Sequence, residues 1–398
     1  MSSSDIVRVR TGGRELTGWT SVQITAGITM AARSFTVGIT FAWPQVKDVI
    51  TGIKTGDPVE VWIGDEPVLT GFVFSTPLSY GPESLQVSIS GRSRTADIVD
   101  CSPAAWLPGD VPQADSTAWT SVRAVSPAGT IISAASPKAA QWKNQKIEQI
   151  AADLCAPYGI EVVLQTETGD PVTMHAIDPG ETAFDSIDRL LASGQLFAMD
   201  DEAGRLVITL PGAGGSAAGG LETGVNILTG SCQRDATGIF SDYVVTGQMA
   251  GSDAAFGAST LQVMASQKDE LASRFRLLEL APSGEMTLDL CQQIGAFESR
   301  RRRALLQSAT FTVVGWRDAL GNLWRPNTMV HVKDSFFGID ADLLIAEVQY
   351  ALSDQGRIAT LNVAPIEAFE AEPTAKEKQE AASTSSASWV DEVKTPGT

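Results

Sequence analysis

Any catalysis by this chain would have to be built from very few groups. Its 398 residues include two histidines, His175 and His331, and four cysteines, Cys101, Cys155, Cys232 and Cys291. A Ser-His-Asp or Cys-His arrangement needs an imidazole held beside a nucleophile. His331 stands between Val330 and Val332 in an alternating apolar and polar stretch, which predicts a solvent-facing strand position. His175 falls in a stretch of loop character, and no GxSxG elbow accompanies it. No Cys or His pair has zinc-ligand spacing, so neither a metal nor another cofactor is expected. The scattered cysteines fit buried free thiols in a reduced, cytoplasmic setting.

Carboxylates are more numerous, and Asp200-Asp201-Glu202 is their densest cluster. It precedes Ala203-Gly204 between an expected helix and strand, which predicts a solvated turn rather than the acid/base pair of a glycosidase. The glycine run 212–220 lacks the Lys-Ser/Thr of a P-loop and the GxGxxG context, and reads as a flexible loop. Arg300, Arg301, Arg302 and Arg303 form the one basic cluster. They are expected in the C-terminal half of a helix, where the dipole favours cations, with carboxylates of a neighbouring subunit as alternative partners. The net charge of -18 argues against sequence-specific nucleic-acid binding, which needs a basic face, and fits a solubilising surface or a wall that nucleic acid passes. No run of eighteen apolar residues predicts a membrane span, and residues 1–5 lack the pattern of a secretory leader.

The elements around these groups carry a stronger signal. One strand pattern occurs twice, about 270 residues apart. The first copy runs through 35–37, 56–63, 68–73 and 85–89, and the second through 311–313, 325–332, 343–348 and 359–363. Period-two alternation with turn residues between strands predicts half-buried antiparallel sheets. The fold class expected is mainly β, with two similar antiparallel β-barrel-like modules flanking a mixed α/β region. Two copies of one module per chain can match a ring with twice as many subunits as chains, which points to assembly rather than catalysis.

The chain divides accordingly. Residues 5–100 form the first module, opening with a hairpin that turns at Gly12-Gly13. A Ser/Pro/Ala-rich insertion at 101–140 carries Trp106 and Trp119, large aromatics expected to anchor it on another surface. The mixed α/β domain, 141–245, is expected to hold a helix capped by Asn144 and ended by Pro157 and Gly159. A second helix there starts at Thr182, with Asp185 completing a capping box. A connector, 246–308, contains a long helix over roughly 286–307, and 309–366 is the second module. The tail, 367–398, is disorder-prone apart from Trp389 and Val390, which are interface candidates.

Several stretches then resemble a known family: residues 16–22, 91–101 (Gly91 to Cys101), 141–159 (Gln141 to Gly159), 323–327 and 353–356. The chain is similar to the baseplate hub proteins of contractile-tailed, Mu-like bacteriophages, also described as late control D or tail P proteins. Members are similar to the hubs of larger contractile phages and to the N-terminal part of type VI secretion spikes. The resemblance implies a virion component assembled in the host cytoplasm: a homotrimer whose modules alternate in a pseudo-sixfold ring. The implied partners are a tail tube or distal tube protein and a central spike protein, with baseplate wedge and tape-measure proteins as further candidates. The insertion 101–140 departs from the pattern. A carbohydrate-binding or adhesin-type β protein, or a tail-associated cell-wall hydrolase, are the alternatives.

Overall fold

Strict alternation along a strand gives it one buried and one exposed face, and this chain is built mostly on that principle. The computed structural model describes residues 5–42, 53–81, 84–104, 123–125, 131–133, 141–249, 261–282, 284, 286–354 and 356–373. The first module comprises β1 (Val7–Thr11), β2 (Arg14–Leu16), β3 (Ser21–Gly27), β4 (Ser34–Ala42), β5 (Pro58–Ile63), β6 (Glu66–Ser75), β7 (Leu78–Tyr80) and β8 (Ser84–Ser93). Val7, Val9, Val59, Val61 and Ile63 are buried while their strand neighbours face outward, as the alternation requires.

The middle region supplies β9 (Arg123–Val125), β10 (Ile131–Ser133), β11 (Gln141–Gln145), β12 (Val162–Leu164), β13 (Val172–Ala176), β14 (Phe197–Asp200) and β15 (Leu206–Thr209). Two helices, Ile147–Cys155 and Ala183–Ser193, bury Ile150, Leu154, Ile187, Leu190 and Leu191 in a shared core with β12 and β15. Thr182 caps the second helix with the reciprocal Asp185 bond expected of a capping box. Gly159, at φ 66, ends the 3-10 turn Ala156–Tyr158 that follows the first. Asn144 does not cap that helix. It lies in β11 at φ 50, and Lys146 takes the cap position without a side-chain bond. Asn favours both helix caps and left-handed backbone, so residue type alone does not separate the two roles.

The glycine run also differs from expectation, because β16 (Ser216–Glu222) pairs parallel with β22 (Met329–Asp334). A Cβ on Gly220 would sit 2.8 Å from the His331 carbonyl oxygen, and one on Gly214 2.5 Å from that of Asn327. These glycines permit close backbone approach rather than flexibility. With β17 (Ile227–Cys232), β21 (Ala309–Val314), β23 (Ile339–Ser353) and β24 (Gly356–Ala364), β16 and β22 form the second module. Between them, β18 (Asp242–Met249), β19 (Leu261–Lys268) and β20 (Leu277–Leu280) make a small sheet. It packs on the helix Leu288–Leu305 through Val245, Ala265, Cys291 and Ile294. Thr287 accepts a hydrogen bond from the Leu290 amide at that helix's start.

The two modules share one strand order. The first runs β3-β4-β8-β6-β5-β1, and the second β17-β21-β24-β23-β22-β16. They differ at the last pair, which is antiparallel between β1 and β5 and parallel between β16 and β22, and in β2, which extends the first module beyond β1. They are not two closed barrels. An antiparallel ladder from Leu352↔Val22 to Glu347↔Gly27 joins β23 to β3, so both modules lie in one open 14-stranded sheet. Alternation fixes which face is buried but not which edge finds a partner, hence the separate barrels expected from sequence. Phe35 and Val37 accordingly lie in the same core cluster as Phe311, Val313 and Val348.

A single core predicts a single transition. Phe35→Ala and Phe311→Ala should each destabilise by about 3–5 kcal/mol and shift the same urea unfolding curve. Separate transitions, each moved by only one substitution, would show that the modules melt independently.

Candidate functional site: a buried ionic joint and the faces left for assembly

The Asp200 cluster is where the structure departs most from the sequence. Asp200 ends β14 with 0 % exposure, and Arg33, in the loop between β3 and β4, is only 4 % exposed. The Arg33 amide donates to Asp200 Oδ2 at 2.9 Å, its Nε to Oδ1 at 3.0 Å and its Nη2 to the Asp200 carbonyl at 3.0 Å. Nη1 donates to the Val68 carbonyl at 3.1 Å and lies 3.2 Å from Glu202 Oε1. Arg33 thus ties together a first-module loop, strand β6 and the middle domain. The middle residue of the cluster, Asp201, does hold a turn: its Oδ1 accepts from the Ala203 and Arg205 amides. Sequence reasoning recognised the turn and missed the pair, because the partner lies 167 residues away.

The ionic chain continues into the second module. Arg325 bonds Glu202 and reaches Glu66 at 3.4 Å, Arg317 bonds Glu66 and meets Asp5 at 2.9 Å, and Arg357 lies 3.7 Å from Asp5. Burial pushes the Asp200 carboxyl up against the pull of Arg33. Burial would lower Arg33, but Asp200 and Glu202 outweigh it and keep the guanidinium charged. Burial also raises Glu202, yet Arg33 and Arg325 hold it below the usual carboxylate range. The gap lined by Arg33, Glu202, Arg325 and Tyr350 encloses about 10 Å³, room for no more than a water. This is a joint, not a ligand site.

Among the described residues one imidazole does meet a hydroxyl. His175 Nε2 lies 2.9 Å from Ser186 Oγ. His175 is not in a loop but buried in β13, beside Trp142, and Ser186 has 0 % exposure within its helix. Burial lowers the imidazole below its ordinary value, and no substrate can reach the hydroxyl, so the pair serves packing. His331 is the exposed strand residue expected, bonded to Asp342 at 2.8 Å, and that bond raises its pKa. Cys155 and Cys291 are buried, Cys232 is half-buried, and Cys101 is exposed, against the expectation for all four. Among the described residues no group of three or more ligating side chains is placed for a metal, and no helix is long and apolar enough to cross a membrane.

The arginine cluster lies in the C-terminal half of the helix Leu288–Leu305, as expected. Arg302 bonds Glu298 at 2.7 Å, Arg303 bonds Asp269 at 2.5 Å, and Arg300 and Arg301 stand 3.9 Å from Glu370 and Glu298. Within the chain the cluster thus meets Glu298, Asp269 and Glu370. Trp106, Trp119, Trp389 and Val390 lie outside the described residues. An open groove of about 460 Å³ over Arg10, Arg14, Glu60 and Arg94 is partly neutralised from within, since Arg10 pairs with Glu15 at 2.8 Å.

A duplicated β module fused into one sheet and locked by a buried ionic joint is the frame for comparison with known proteins. Residues 6–93 match the Mu phage baseplate assembly protein GpP-like N-terminal domain, 128–210 the second domain of baseplate hub protein gp44-like, and 291–372 the fourth domain of GpP. Baseplate hub protein gp44 of Escherichia phage Mu is 29% identical over 92% of this chain and 89% of its own. The 43 kDa tail protein of prophage MuSo2 from Shewanella oneidensis is 29% identical, with a TM-score of 0.75 over 93% of this chain and 100% of its own. A component of the E. coli type VI secretion system, described as structurally similar to T4 tail proteins gp27 and gp5, shares the fold at 9% identity. Its TM-score is 0.50 over 92% of this chain and 79% of its own. Over most of its length the chain is therefore similar to the phage tail baseplate hub proteins of the Mu-like family.

Arg33→Ala should cost about 3–5 kcal/mol in chemical denaturation, because it leaves Asp200 buried and unpaired. Glu202 stabilises above its ordinary pKa of 4.5, and that contribution is lost as pH falls through the lowered folded value. Glu202→Gln should therefore flatten part of the acid limb of the stability profile. An unchanged limb would show that Glu202 is not coupled to the joint.

Proposed function

We propose that this hub protein forms a homotrimer whose two modules alternate around a pseudo-sixfold ring, joining a hexameric tail tube to a trimeric spike and letting DNA pass. The observation that carries the reading is the strand order common to β3-β4-β8-β6-β5-β1 and β17-β21-β24-β23-β22-β16. Near-equivalent units, two per chain, turn threefold symmetry into an approximate sixfold one. In this reading the modules act as the barrel-like walls of the ring, and the trimer is assembled in the host cytoplasm before joining the virion. The insertion 101–140, through Trp106 and Trp119, and the tail 367–398, through Trp389 and Val390, contact neighbouring subunits or the spike. Tube, wedge and tape-measure proteins are the remaining partners.

Native mass spectrometry of the full chain should give a trimer, and electron microscopy of it should give a ring with six similar lobes. A monomer, or lobes at unequal radii, would overturn the symmetry match.

The channel wall is acidic or neutral. Each chain carries -18, and a basic lumen would retain DNA through phosphate contacts. Fluorescence anisotropy with duplex DNA at low salt should detect no salt-sensitive binding; binding that weakens steeply with salt would contradict this.

A further inference from the structure

Among the described strands, each module leaves bare one edge whose counterpart in the other module is paired, and the two are complementary. Within the chain, the second half of β23 pairs with β3 from Glu347↔Gly27 to Leu352↔Val22. In the first module the equivalent strand is β6 continued by β7, which runs from Glu66 to Tyr80 over the same 15-residue length as β23. Its first half pairs with β5, as β23 does with β22, and its length pairs with β8, as β23 does with β24. Beyond Val73, however, no described strand takes the place of β3. Val348 and Tyr350 are buried, whereas Phe74, Leu78 and Tyr80 are 44%, 50% and 81% exposed. Likewise β17 is the equivalent of β3: each flanks the strand carrying a buried Phe, with Ile24 opposite Phe35 and Gly230 opposite Phe311. β3 has partners on both edges. β17 ends the sheet, with Leu228 53% exposed.

We infer that β17 of one copy of this chain pairs antiparallel with residues 74–80 of the next, repeating between chains the joint that β3 and β23 make within one. The inference rests on the trimeric ring proposed above and names its interface. The contact is head-to-tail, because the donor edge lies in the second module and the acceptor edge in the first, and such contacts close into rings. Pro77 does not block it. The Ser88 amide donates to the Pro77 carbonyl at 3.0 Å, so the missing Pro77 N–H lies on the β8 side and the outer edge keeps its donors. Pairing also covers Phe74, Leu78 and Tyr80, a cluster of apolar side chains that the isolated chain leaves in water.

The intrachain register specifies the pairs. Thr25 opposes Gln349. Thr25 faces Ser34 as Ser231 faces Thr310, and Gln349 lies across Thr360 from Thr312 as Ser75 lies across Ser90 from Thr36, so with Phe35 matched to Phe311 the ladders carry that pair to Ser231 against Ser75. Directly opposed residues in an antiparallel pair are about 4.5–5.5 Å apart at Cα, within disulfide range. The test is Ser75→Cys with Ser231→Cys in the full chain, the exposed Cys101 and the half-buried Cys232 changed to Ser, oxidised and run on non-reducing gels beside native mass spectrometry. The expected result is covalent trimer, lost when either new cysteine is left out and absent when Arg14→Cys, on the opposite sheet edge, replaces Ser75→Cys. A scan of single cysteines from 74 to 79 against Ser231→Cys guards against a register shift at the bulge. A native trimer in which no scanned position links to position 231 overturns this joint and leaves the ring intact. Failure to form a trimer at all overturns both.

Discussion

The ladder between β3 and β23 is the constraint on which the rest of the molecule depends. It fixes the two copies of the module at one separation and one twist, and turns what could be two tethered domains into a single sheet with a continuous core. The chain leaves β3 through Ile28, whose amide donates to the Ala346 carbonyl at 2.8 Å, and five residues later reaches Arg33. The position of that guanidinium, and so of the whole ionic chain through Asp200, Glu202, Arg325 and Glu66, is therefore set by the ladder.

Ion pairs of this kind contribute little net stability compared with apolar residues of the same shape, but breaking one partner is expensive. Their value here is directional. A hydrophobic joint between the modules and the middle domain would tolerate sliding. A guanidinium making four polar contacts to Asp200, Val68 and Glu202 accepts one arrangement.

Much of this was legible in the sequence. Period-two alternation located the repeat, and the capping box at Thr182 and the turn at Gly159 marked helix ends, because each depends on residues close in sequence. What failed depends on distance. Asp200 looked solvated because its partner is in another module, and the glycine run looked flexible because the carbonyls it approaches belong to residues 327 and 331. His175 looked like a loop residue because β13 is short and pairs only with β11. The family resemblance rested on local motifs and held. The fusion of the modules into one sheet had no local signature, since β3 and β23 are individually ordinary strands.

The same ladder sets a timetable for synthesis. Val22 and its partner Leu352 are separated by nearly the whole chain, so at about 5–20 residues per second the ribosome needs on the order of tens of seconds to deliver the second strand after the first. During that interval the N-terminal module must persist with the edge of β3 bare, an adhesive surface for any other nascent copy. Polysomes translating this message would hold several such edges close together. The chain is thus exposed to premature pairing between copies while it is being made, and slow or paused translation past the first module would lengthen the risk.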